Sequence, residues 1–304
     1  MPDVFTPEEL TSLLRGKTVV YVGDSNVRGL YKDLVWLSNN CSYTPLKFLK
    51  AKLEQSFAGD RLVDGLMASR GRDYREVRHY SSPNGLLNVC FMFCTRIYSA
   101  YMRGLLDQMR QASPDLVVVN SCVWDISRWG PRGVEEYKVN LHRFLQHVQL
   151  AVRPDTMLVW LTAMPVSSEP RGGFLIKQVE FLRHTLRFDV MEANSFCAGV
   201  VREFGYDVLD VHYQFRCLIH HRNRDGIHWS PRAIRATTNM LLTHICLSWN
   251  RHPPGRGPGR LLRRAAAESC LSPDAIQDIS GRPLTAGQLA AARYVRGDQA
   301  PGTR

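Results

Sequence analysis

A β-branched run, Thr18-Val19-Val20-Tyr21-Val22, enters a Gly23-Asp24-Ser25 turn, and a helical apolar period follows to Leu37. A serine so placed sits at the top of a strand, where a helix begins. The unit recurs along the chain. Strand-like runs fall at 17–22, 87–93, 116–120, 157–161 and 207–210. None alternates cleanly with polar residues, as expected of strands covered on both faces. Helical periods lie between and after them, at 27–37, 99–111, 134–152, 174–204 and 231–249. Strand alternating with helix predicts a parallel sheet in an α/β sandwich. Residues 39–85 are the least regular part. A helix near 45–56 is expected there, then a loop carrying Arg70, Arg72 and Arg75.

The 304 residues are 44% hydrophobic and 22% charged, enough for one domain over 1–250 with a sizeable core and an appendage. The break falls at Arg251-His252-Pro253-Pro254-Gly255-Arg256, after which Pro, Gly and Arg dominate and no apolar period survives. Residues 251–304 are expected to be a disordered basic tail, with a short helix at 283–296 and room for protein partners. The tail holds nine arginines against four carboxylates, so the net charge of +11 is shared between it and the domain. Spread in this way, the charge implies a solvated surface and no obligate nucleic-acid partner. The first residues lack a basic stretch and an apolar core, so no signal peptide is read, and no run is long enough to span a bilayer. A cytoplasmic or nuclear location is the expectation. The eight cysteines are scattered without zinc-type spacing and read as small core thiols. Neither a metal nor a cofactor is expected.

In an open parallel sheet, sites form at the carboxyl ends of strands. Ser25 follows the first predicted strand. Asn120-Ser121-Cys122-Val123-Trp124-Asp125 follows the third. Asp225-Gly226-Ile227-His228-Trp229 follows the last and precedes the final helix. One sheet edge would gather all three. A serine hydroxyl needs an adjacent base to act as a nucleophile. His228 can take its proton, and Asp225, three residues earlier, can fold back and hold the imidazole in one tautomer. A developing oxyanion needs donors already in place. The candidates are the N–H groups at the helix start, Arg28 one turn on, and Asn120 from the neighbouring strand.

Gly23-Asp24-Ser25 with Asp225-x-x-His228 resembles the GDSL/SGNH hydrolases. The extended pattern Gly23-Asp24-Ser25-x-x-Arg28, with Asp225-Gly226-x-His228-Trp229, resembles their PC-esterase branch. Adding Tyr31-Lys32-Asp33-Leu34-Val35 and Asn120-Ser121-Cys122-x-Trp124-Asp125, residues 15–248 resemble the PC-esterase domain-containing protein 1 group. The resemblance implies a flavodoxin-like three-layer α/β/α fold and acyl-ester chemistry, with Ser25 as nucleophile, His228 as base and Asp225 as its orienter. SGNH enzymes carry Gly-x-Asn-Asp after the third strand, and here that segment runs from Asn120 to Asp125 instead.

The expected function is therefore a serine acyl-esterase or O-acyltransferase acting on an acylated small molecule or glycan. The alternative is an interaction protein that keeps the fold without turnover. Taken singly, each residue has a plainer reading: Ser25 and Asp225 as helix caps, Arg28 paired with Asp24 or Asp33, Asn120 as a strand-end amide. His212, His220 and His221 read as a surface histidine cluster. Arg70, Arg72 and Arg75 with Tyr74 read as a solvated loop.

Overall fold

The computed structural model describes residues 3–65, 71–171, 175 and 177–254. Most of the expected tail, including the helix at 283–296, lies outside the described residues. So do Arg70 and the start of the helix expected from 174.

The chain opens with helix α1 (Pro7–Leu13), strand β1 (Lys17–Gly23) and helix α2 (Ser25–Leu37). A short helix α3 (Leu46–Lys50) leads to strands β2 (Arg61–Asp64), β3 (Val77–Ser81) and β4 (Leu87–Phe93). Helix α4 (Ala100–Ala112), strand β5 (Leu116–Asn120), helices α5 (Val123–Arg128) and α6 (Gly133–Ala151) and strand β6 (Met157–Leu161) follow. Helix α7 (Leu186–Glu203), strand β7 (Asp207–Leu209) and helices α8 (Val211–Phe215) and α9 (Pro231–Ser248) complete the described chain.

The seven strands form one sheet in the order β2-β3-β4-β1-β5-β6-β7. From β4 to β7 every pairing is parallel. Those five strands have the flavodoxin-like order, with the chain reversing direction of travel between β1 and β5. The expected parallel sheet carries an antiparallel addition at one edge. There β3 runs antiparallel to both β4 and β2, so two strands, Arg61–Asp64 and Val77–Ser81, stand on either side of the expected arginine loop. The expected helix at 45–56 shrinks to α3, because its carbonyl end is captured at Phe48 and Ala51 by Lys32. The helix expected over 174–204 is also divided. A 3-10 segment, Lys177–His184, is interrupted at Val179, whose φ of −127° is not helical, and α7 starts only after Thr185.

Helices cover both faces of the sheet. On one face, Val20, Val22, Val117, Val119 and Trp160 pack with Leu105 of α4, Phe144 of α6 and Val190 of α7 in one apolar core. On the other, α2 packs on β1 and β4, and α9 lies against it: Ile234 comes within 3.5 Å of where a Cβ on Gly29 would be. Asp33 of α2, fully buried, accepts from Arg235 Nε at 2.8 Å and from the hydroxyls of Thr44 and Thr238 at 2.8 Å each. A buried carboxylate demands such partners. Here they lock α2 and α9 together. Among the described residues no helix is long and apolar enough to cross a membrane. Cys90, Cys94, Cys122 and Cys197 are buried, while Cys41 and Cys217 are exposed.

Candidate active site

Gly23, the last residue of β1, lies in register with Phe93 of β4 and Asn120 of β5. A Cβ there would stand 2.5 Å from the Asn120 carbonyl oxygen and 2.3 Å from Val27 Cγ2. Only glycine lets the helix turn away this close to the neighbouring strand. Asp24 then caps α2, its carboxylate accepting from the Asn26 N–H at 2.8 Å. The capping task falls to Asp24, so the Ser25 hydroxyl is spared for other work. Burial pushes the Asp24 carboxyl up, and the Asn26 N–H and His228 pull against that. As the first residue of α2, Ser25 also has a backbone N–H with no intrahelical acceptor.

The second component is a tight turn between α8 and α9. Gly226 adopts φ +80°, and a Cβ on it would stand 2.5 Å from Ser167 Cβ. Asp225 Oδ1 accepts from the N–H groups of Ile227 and His228, both at 2.8 Å. Oδ2 is left for His228 Nδ1 at 3.0 Å. Asp225 is therefore not a cap for α9; both of its oxygens serve this turn. Partial burial works against its charge, yet the two N–H groups and His228 outweigh it and hold the carboxyl below the usual range. Trp229, buried against Phe215 at 5.2 Å between centroids, anchors the turn from below.

The two components meet. His228 Nε2 lies 2.7 Å from Ser25 Oγ. An imidazole that donates through Nδ1 to a carboxylate presents Nε2 as an acceptor. A proton leaving Ser25 Oγ thus has a base within reach, and the imidazolium that results has a counter-ion.

Arg28 lines the same cavity but is not solvent-facing. Its Nη1 donates to Glu76 Oε2 at 2.7 Å and to Tyr74 Oη at 3.1 Å, while Nε is buried without a partner. Glu76, not Asp24 or Asp33, is its partner. Burial pushes the Glu76 carboxyl up, but Arg28, Tyr74 and Arg78 outweigh this and hold it low. Asn120 is not brought to the triad of side chains. Its amide donates to the Leu161 carbonyl at 2.7 Å, and it lines a separate, much smaller cavity with Val27 and Leu30.

The main cavity has a volume of about 600 Å³. Ser25, Asp225 and His228 share it with Lys50, Lys52, Tyr74, Phe93, Trp124, Arg128 and Arg171. Sequence reasoning missed most of these. Tyr74 had been read as part of a solvated arginine loop. Tyr74 is buried, while Arg72 and Arg75 are exposed, Arg72 over the Trp129 ring at 5.1 Å and Arg75 over Tyr101 at 4.8 Å. In the sequence Trp124 stands out only as part of the Asn120-to-Asp125 motif, and its place in the cavity wall appears with the structure. Asp125 itself is buried, accepting from Ile97 N–H at 2.9 Å and from the Ser121 hydroxyl, and burial pushes its carboxyl up to about 7. The His220 and His221 rings lie 4.2 Å apart, tilted at 46°, and His212 Nδ1 lies 2.8 Å from the Ala163 carbonyl. Among the described residues no three metal-ligating side chains converge.

Comparison with known proteins bears on this geometry. The human PC-esterase domain-containing protein 1A is 41% identical over 257 residues, which is 83% of this chain and 57% of that protein. The human 1B protein is 39% identical over 256 residues, 82% of this chain and 59% of that one. The chain belongs to the PC-esterase domain-containing protein 1 family. It spans little more than half the length of these relatives. No family model matches the chain. Among solved structures, a peptidoglycan O-acetylesterase aligns with TM-score 0.48 and 10% identity over 79% of this chain and 95% of that one.

Proposed function

We propose that this PC-esterase relative is a serine acyl-esterase or O-acyltransferase in which Ser25 is the nucleophile, His228 the general base and Asp225 its orienter. The observation that carries the reading is the continuous hydrogen-bond chain from Ser25 Oγ through His228 to Asp225 at the wall of an open cavity. Ser25 Oγ attacks the ester carbonyl as His228 Nε2 takes its proton. The tetrahedral oxyanion is met by the Ser25 backbone N–H at the positive end of α2. Arg28, tethered through Nη1, is the second donor. Asn120 is the weaker candidate, since one amide N–H is already given to Leu161. His228 then returns the proton to the leaving alcohol, and water or an acceptor hydroxyl, activated by the same histidine, releases the acyl group. The substrate class is an acylated small molecule or glycan.

A serine-directed fluorophosphonate tests this. It is expected to label the native protein and not Ser25→Ala. Absence of labelling, or equal labelling of both, removes the nucleophile. The second reading, an interaction protein of the same fold without turnover, draws on one observation: Asn120 is not among the residues that line the cavity holding Ser25. It predicts no labelling with an otherwise native fold.

A further inference from the structure

The charges around the main cavity do not balance. Arg28, Lys50, Lys52 and Arg171 line it, against a single carboxylate among the described residues, Asp225. That carboxylate is already occupied by His228 and two backbone N–H groups. Arg28 is neutralised by Glu76. Lys50, Lys52 and Arg171 form no ion pair with any described carboxylate. Two of these cations are linked through one tyrosine. Arg28 lies one helical turn beyond Ser25, on the same face of α2. Its Nη1 touches Tyr74 Oη at 3.1 Å, and Lys52 Nζ stands 6.0 Å from the centroid of the same tyrosine ring. Phe93 and Trp124, packed edge-on at 6.0 Å, give the cavity an apolar side. A cavity of about 600 Å³ is of the size that holds a molecule much larger than an acetyl group.

We propose that the site takes an ester bearing an anionic group, a carboxylate, phosphate or sulfate, which is held by Lys50 and Lys52 while the ester carbonyl lies at Ser25. The apolar side of the cavity covers the body of the substrate between the two. An uncompensated cluster of cations raises the local concentration of anions and favours them over neutral analogues. The inference rests on the reading of this cavity as an ester site, but its binding half is measured without turnover.

The binding experiment uses Ser25→Ala protein and two probes that differ only in esterification, 4-methoxybenzoate and its methyl ester, titrated by calorimetry at low and high salt. The carboxylate is expected to bind about tenfold more tightly, the combined effect of two part-exposed ion pairs, with the margin shrinking in salt. Lys50→Gln with Lys52→Gln is expected to bring the ratio close to one, and Lys50→Arg with Lys52→Arg to restore it. Lys138→Gln, on α6 and outside the cavity, leaves the ratio unchanged. The turnover experiment compares kcat/KM for 4-acetoxybenzoate and methyl 4-acetoxybenzoate with the native protein, and the same preference for the anion is expected. Equal binding of the two probes overturns the proposal. So does a preference that survives Lys50→Gln with Lys52→Gln, or one that Lys138→Gln erodes equally. A carboxylate preference in binding with no fluorophosphonate labelling leaves the anion site standing and removes the esterase. Labelling without the preference does the reverse.

Discussion

Along one side of the cavity, Ser25, Asp225 and His228 are held by contacts a few residues long. Gly23 permits the turn, Asp24 caps the helix, and Asp225 accepts from the next two N–H groups it can reach. Along the other side, residues 46–65 and 71–78 are held largely by buried charges, several of them far from their partners in sequence. Arg78, fully buried, donates from Nε and Nη2 to Asp60 at 2.7 and 2.8 Å and from Nη1 to Glu76 at 3.2 Å. Tyr31 donates to Asp60 at 2.9 Å, and Glu76 passes the network on to Arg28. The first side carries the reacting groups on backbone geometry. The second shapes the space in front of them with ion pairs whose desolvation is offset only while every partner is present. The contrast suggests that chemistry and cavity shape are separately vulnerable.

Damage to each side should therefore show in a different measurement. His228→Ala is expected to slow acylation of Ser25 by about 10⁴-fold, the upper range for losing a general base. The side chain of His228 is 42% exposed, so unfolding in urea should shift by no more than about 0.5 kcal/mol. A large loss of stability would mean that the turn is held by more than its backbone. Arg78→Met should do the opposite, costing about 3–5 kcal/mol because Asp60 and Glu76 stay buried with too few partners. If fluorophosphonate labelling of the protein that remains folded falls in step, the two sides are coupled through Arg28 rather than separate.

The smallest effect concerns pH. Asp125, on the side of Ser25, has its carboxyl raised by burial to about 7. A raised carboxyl binds its proton more tightly in the folded chain than in the unfolded one. Stability contributed by the protonated form is therefore full below the unfolded value and declines as pH rises towards 7. Asp125→Asn keeps an acceptor for the Ile97 N–H and removes the ionisation. Its thermal midpoint should fall less than that of the native chain between pH 5 and 8, by about 1–2 kcal/mol of stability at the upper end. A native midpoint independent of pH over this range would show that Asp125 is already satisfied as an anion.

The same contrast explains what the sequence made legible. Strands β1, β4, β5 and β6 announce themselves because they are buried on both faces over most of their length and mostly apolar, whereas the short β7 is half-buried and is read from its place after a helix. The short glycine and aspartate turns can be read because their constraint lies within the motif. Strands β2 and β3 escaped for the converse reason. Arg61-Leu62-Val63-Asp64 and Val77-Arg78-His79-Tyr80-Ser81 carry charges that look like loop until the partner is known. Arg78 finds Asp60 eighteen residues away, and Arg28 finds Glu76 across forty-eight. No local pattern encodes such a pairing. The division of the expected helix at 174–204 was hidden too, since apolar spacing continues through Val179 and Leu182, both buried, although the backbone does not.

Lys32 turns this architecture into something that can be watched. Its side chain is fully buried, and its ammonium is bound by the carbonyls of Phe48 and Ala51 at 2.9 and 2.8 Å and by Glu54. Acetylating reagents reach Lys50 and Lys52 on the surface at once. They reach Lys32 only when the segment from Leu46 to Glu54 swings off α2. The modification rate of that one amine is thus a clock for the breathing of the cavity rim, readable in the intact protein with no ligand bound.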